Sequence, residues 1–145
     1  MEAHKQSPAR ILVMEDNPAD VTLLRVALDH HSDDYRLDVL RDGAEALNFV
    51  RQQSEAQQDH AHPCVIVMDM HLPKHDGPAV LEALSQSPLM DHMRVVVLTS
   101  VTAPQDEEAL RRLGIRLYRA KPIHVDDWIS LAGEILDICH DRAVA

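Results

Sequence analysis

Cys64-Val65-Ile66-Val67-Met68-Asp69-Met70-His71-Leu72-Pro73-Lys74-His75-Asp76-Gly77 opens on an uninterrupted apolar run rich in β-branched residues. A run with no polar side to offer water predicts a strand buried on both faces, as in a parallel sheet covered by helices. It ends in Asp69, and Pro73 with the Asp76-Gly77 pair turns the chain into the next element. A carboxylate at the C-terminal end of a parallel strand sits where such sheets place their chemistry. Alone, Asp69 would be read as the start of a polar loop; the ends of three other strands argue otherwise.

Toward the N-terminus, Arg10-Ile11-Leu12-Val13-Met14 is a first strand that delivers Glu15-Asp16. Asn17-Pro18-Ala19-Asp20 then starts a helix, with Asn17 as N-cap, Pro18 at the first helical position and Asp20 in the positive first turn. Val21, Leu24, Ala27 and Leu28 give it an apolar face, and its end is expected near His30-His31. Leu37 and Val39 alternate with Arg36 and Asp38 in a second strand near a sheet edge, and Asp42-Gly43 punctuates its exit. Ala44, Leu47 and Val50 give a second helix, whose polar tail over 52–62 runs into a surface loop.

Toward the C-terminus, Val80, Leu81 and Leu84 give a third helix that stops around Ser87-Pro88. Residues 94–100 form another buried strand that ends in the hydroxyls of Thr99 and Ser100. Residues 104–113 form a charged helix with Ala109 and Leu113 inward and Gly114 as its stop. Residues 115–119 form a fifth strand, which delivers Lys121-Pro122. Residues 124–139 close the chain as a helix with Val125, Trp128, Ile129, Ala132, Ile135 and Leu136 at helical spacing. Trp128 is expected in the core, although a tryptophan there could also anchor a dimer. Five strands alternating with five helices predict an α/β fold, a flavodoxin-like doubly wound parallel sheet of order 2-1-3-4-5.

At 145 residues, the length is that of one domain able to bury a core without staples. Hydrophobic residues at 46% and charged residues at 26% fit a soluble globular protein. No apolar run approaches about 18 residues and no signal segment is recognisable, so the expected location is the cytoplasm. A net charge of -10 disfavours nucleic acid and acidic membrane surfaces as partners. Cys64 and Cys139 form no metal or redox motif and are expected as buried free thiols.

In the order 2-1-3-4-5, the C-terminal ends of four neighbouring strands meet and bring Glu15, Asp16, Asp69, Thr99 and Lys121 to one crevice. Three carboxylates there would hold one another partly protonated unless a divalent cation lay between them. Oxygen-only ligation with waters suits Mg²⁺. A carboxylate can attack a phosphoryl group and carry it as a mixed anhydride, which requires neutralising three equatorial oxygens. Mg²⁺, the Lys121 ammonium, and the Thr99 hydroxyl or a backbone N–H supply those contacts, with Asp69 as acceptor.

These residues resemble the receiver domain of two-component response regulators over almost the whole chain. The acidic pair Glu15-Asp16, the Asp69-to-Gly77 loop, the Thr99 hydroxyl and Lys121-Pro122 match that family's motifs. The resemblance implies that Asp16, Asp69 and the backbone carbonyl of His71 ligate Mg²⁺, with Glu15 acting mostly through water. It implies a cis Lys121-Pro122 bond, and Tyr118 as an aromatic that moves with Thr99 when phosphate arrives. His71 and His75 side chains are expected to be solvated. The implied organisation is a flexible segment over 1–9, a receiver domain over 10–140 and a tail over 141–145.

Glu15-Asp16-Asn17-Pro18-Ala19-Asp20, the polar insert before the third strand and the lack of an output domain are similar to small regulators paired with phytochrome-type sensor kinases. The implied partners are a sensor histidine kinase or a histidine phosphotransfer protein, a downstream protein target, and a second copy of the chain. The implied role is a signalling phosphoacceptor rather than an enzyme. Two other classes compete. A phosphatase of haloacid dehalogenase type also uses an aspartyl nucleophile, but wants Asp-x-Asp on the earliest strand, whereas Asp69-Met70-His71 lies on the third. A flavin or nucleotide binder wants a phosphate loop after the first strand, and none is there.

Overall fold

Apolar runs such as Val65–Asp69 can be buried on both faces only between two layers of helices, and that requirement organises the chain. The computed structural model describes residues 9–55, 63–74, 77–100 and 102–140. Five strands, β1 (Ala9–Met14), β2 (Tyr35–Leu40), β3 (Val65–Asp69), β4 (Arg94–Thr99) and β5 (Leu117–Ala120), alternate with five helices. These are α1 (Pro18–His31), α2 (Gly43–Glu55), α3 (Gly77–Ser85), α4 (Pro104–Arg112) and α5 (Val125–His140), with a short 3-10 turn at Pro88–Asp91. The strands pair in parallel in the order β2-β1-β3-β4-β5, as the alternating pattern predicts.

Strand side chains alternate between two cores. Ile11, Val13, Val65, Val67, Val96 and Leu98 face α1 and α5. Leu12, Met14, Ile66, Met68, Val95 and Val97 face the opposite layer, which holds Ala46 and Val50 of α2, Leu81 and Leu84 of α3 and Leu110 of α4. Register aligns Met14 with Met68 and Asp69 with Leu98, so the ends of β1, β3 and β4 lie side by side.

Several expectations need correction. The first strand begins at Ala9, which is buried in β1 opposite Tyr35, one residue before the expected Arg10. Ala44 is exposed, and Ala46 with Val50 faces inward from α2. On α4, Leu110 is buried while Ala109 is exposed; the larger side chain gains more from burial and takes the inward place. Val125 is 51% exposed because it opens α5 before that helix reaches the sheet. Cys64 and Cys139 are not free thiols: they pair as a disulfide, with Cα atoms 5.1 Å apart across 75 residues of sequence. The fold alone brings the last turn of α5 against the start of β3, and no local pattern announces that meeting. No peptide bond among the described residues is cis, so Lys121-Pro122 is trans, the form an X-Pro bond prefers by about 0.5–1 kcal/mol.

The expectations for 1–8, for the loop over 56–62, for His75 and Asp76, for Val101 and for the tail over 141–145 lie outside the described residues.

Candidate functional site

Each site residue is delivered by a strand end. Glu15 follows β1, where its N–H donates to the Leu40 carbonyl at 2.9 Å. Its carboxylate accepts from the Asn17 N–H at 3.1 Å, while the Asn17 side chain caps α1 by accepting from the Ala19 N–H at 2.9 Å. Asp69 closes β3 and accepts from the His71 N–H at 3.1 Å, which stiffens the loop behind it. Lys121 follows β5, and its N–H donates to the Thr99 carbonyl at 2.8 Å, tying the lysine to the end of β4.

The loop after Asp69 is held closely. Lys74 adopts a left-handed backbone (φ 74°), a conformation costing about 1–2 kcal/mol for a residue with a Cβ. Its ammonium lies 3.4 Å from Asp42, and the neighbouring Pro73 carbonyl accepts from the Gly43 N–H at 2.8 Å. Gly77 donates to the Met70 carbonyl at 2.9 Å, and a Cβ on Gly77 would meet the Met70 Cα at 2.7 Å. The glycine is therefore required by close approach, and it docks α3 directly behind Asp69.

Oxygens of Glu15, Asp16 and Asp69 converge within 4.8 Å of one another, with Glu15 and Asp69 buried and Asp16 exposed. The Lys121 ammonium donates to Asp20 Oδ2 at 2.8 Å and to Asp69 Oδ2 at 3.0 Å, and lies 2.9 Å from Glu15 Oε1. Burial, opposed by the Lys121 hydrogen bond and reinforced by the Asp69 charge, pushes the Glu15 carboxyl from 4.5 up to about 7. Burial works against the Lys121 charge, but its hydrogen bonds to Asp20, Glu15 and Asp69 outweigh that and raise its pKa above the usual lysine value. The pocket thus holds more acid than one ammonium can neutralise. Its hard oxygen donors fit a divalent cation, and no histidine or cysteine side chain belongs to the cluster.

The structure gathers Glu15, Asp16, Asp69 and Lys121 as expected. Thr99 is buried at the end of β4, and Tyr118 is buried with its hydroxyl accepting from the Ala103 N–H at 3.3 Å. Both line a groove of about 390 Å³ beside the acidic pocket, together with Met70, His71 and Leu110. The His71 side chain is exposed. Sequence reasoning missed the hold of Asp20 on Lys121. An aspartate at the third position of a helix is explained by the helix dipole alone, and its contact with a lysine 101 residues away leaves no local signal.

The model of the response regulator receiver domain matches residues 11–132. The chain belongs to the response regulator receiver family. It is 35% identical to the response regulator Rcp1 of Synechocystis sp. over 131 residues, covering 90% of this chain and 88% of that protein. The crystal structure of the phosphorylated cyanobacterial phytochrome response regulator RcpA superposes with a TM-score of 0.77 at 28% identity, covering 92% of this chain and 95% of that one. The Mn(2+)-bound form of Rcp1 superposes with a TM-score of 0.74 at 34% identity, covering 88% and 91%. Receiver domains are phosphoacceptors of two-component signalling, and phosphoacceptor signalling is the function of this chain. No helix among the described residues is long and apolar enough to cross a membrane.

Proposed function

We propose that Asp69 accepts the phosphoryl group, in a pocket where Glu15, Asp16, Asp69 and the backbone carbonyl of His71 hold Mg²⁺. The observation that carries this reading is the meeting of Lys121 Nζ with Asp69 Oδ2 at 3.0 Å beside a converging carboxylate trio. Asp69 attacks phosphorus with one carboxylate oxygen, forming the acyl phosphate as the bond to the donor breaks. Lys121 pairs with one phosphoryl oxygen and the Thr99 hydroxyl with another. Mg²⁺, when bound, supplies positive charge that offsets the carboxylates and the incoming oxygens.

The donor in this reading is a phosphohistidine on a sensor histidine kinase or a phosphotransfer protein. A phytochrome-type kinase is favoured by the likeness to the phytochrome response regulator RcpA and to the bacteriophytochrome response regulator RtBRR. The chain covers 88% of Rcp1 and 95% of the RcpA chain along their own length, which supports reading this receiver unit by its likeness to theirs. The output is then a changed affinity for a downstream protein or a second copy, as added charge moves Thr99 and the Tyr118 ring beside it.

Incubation with acetyl phosphate and Mg²⁺, followed by intact mass, tests the assignment. One phosphoryl adduct on the native protein and none on Asp69→Asn is expected. No adduct on the native protein, or an equal adduct on the variant, would overturn it. No observation favours the haloacid dehalogenase reading, since Asp69 closes the third strand and not the first.

A further inference from the structure

The Lys121 ammonium carries three N–H donors. Three carboxylate oxygens meet them: Asp20 at 2.8 Å, Glu15 at 2.9 Å and Asp69 at 3.0 Å. The ammonium is therefore saturated and must release an acceptor before it can pair with a phosphoryl oxygen on Asp69. Glu15 and Asp69 belong to the converging trio that fits a cation, so their oxygens have a second claimant. Asp20 lies outside that trio, and its hold on Lys121 has no such competitor.

Asp20 is also built into place. Pro18 and the Asn17 cap fix the first turn of α1, and the Asp20 N–H donates to the Asn17 carbonyl at 3.1 Å. Its side chain is only 19% exposed and borders a cavity of about 10 Å³ shared with Glu15, Asp69 and Trp128. Three carboxylates thus meet one lysine and Asp16 converges on two of them, so a divalent cation beside the ammonium would still leave a negative charge over.

We propose that Asp20 is a positioning residue for Lys121, holding the ammonium in the resting pocket and competing for it with a phosphoryl group on Asp69. This rests on the reading of Asp69 as the phosphoacceptor. It makes Asp20 a determinant of how strongly the phosphorylated state is stabilised.

The test is calorimetric titration of native protein and Asp20→Asn with Mg²⁺ alone, and with beryllofluoride in saturating Mg²⁺. Asparagine keeps the size and the acceptor oxygen but drops the charge. Beryllofluoride is expected to bind the variant roughly fivefold more tightly, the scale of one partly exposed ion pair. Mg²⁺ alone is expected to bind more weakly, because the freed lysine turns to Glu15 and Asp69. Both shifts should survive a rise from about 0.1 M to about 0.5 M NaCl, where a contact pair persists and long-range fields are screened. Weakening of both ligands would mark a structural role only. Unchanged beryllofluoride affinity, or a gain erased by salt, would also overturn the proposal. Failure of the native protein to bind beryllofluoride would instead sink the assignment of Asp69.

Discussion

Asp69→Asn should stabilise the metal-free protein, although it removes an ion pair. Asp69 meets Lys121 at 3.0 Å, worth about 5.5 kcal/mol of attraction at an effective dielectric constant near 20. Against this, its carboxylate stands within 4.8 Å of both Glu15 and Asp16, about 3.5 kcal/mol of repulsion for each pair on the same scale. Asp16 is exposed, which weakens its share. Burying one fewer charge adds to the variant's side, and asparagine can still accept from Lys121. The balance is a gain of about 1–2 kcal/mol at pH 8, or roughly 3–6 °C in melting temperature for a chain of this size.

The pH dependence follows from Glu15. Its folded pKa, about 7, lies above its ordinary 4.5, so between these values the folded protein binds more protons than the unfolded chain. Stability from this group is fully present below 4.5 and is lost as pH rises through 7. Removing the Asp69 charge lowers the Glu15 pKa and shrinks that loss. The variant's advantage should therefore be large at pH 8 and small near pH 5. Thermal melts in EDTA at both pH values measure it, and saturating Mg²⁺ should abolish it by neutralising the native pocket. A variant less stable than the native protein in EDTA at pH 8, or an advantage untouched by Mg²⁺, would refute the charge argument.

Mg²⁺ affinity should rise between pH 6 and 8, because Glu15 must lose its proton to take part in the cation site; calorimetry giving a flat profile would contradict this. Gly77→Ala should cost about 2 kcal/mol in denaturant melts and slow labelling by acetyl phosphate, since the new methyl meets the Met70 backbone at 2.7 Å behind Asp69; a variant of native stability would mean that the loop yields freely.

Asp69, Thr99 and Lys121 could be found in the sequence because each ends a strand whose apolar run is legible in one dimension. Parallel pairing then leaves few ways to arrange five such strands, so both the sheet order and the gathering of the acids followed. Faces of helices were harder to read. Ala109 and Leu110 are neighbours in sequence, and only the position of α4 against the sheet shows which one is inward. Val125 matched the spacing of its helix yet sits at the first turn, beyond the cover of the core.

The order of residues by itself determined the strands, the helices and the chemical types at the sheet's edge, because burial periodicity and turn chemistry act over a few neighbours. The tertiary structure alone decided that Asp20 grips Lys121, that Cys64 meets Cys139, and that Gly77 must lack a side chain. Those three depend on distances between segments far apart in sequence, and such distances exist only once the helices have packed on the sheet.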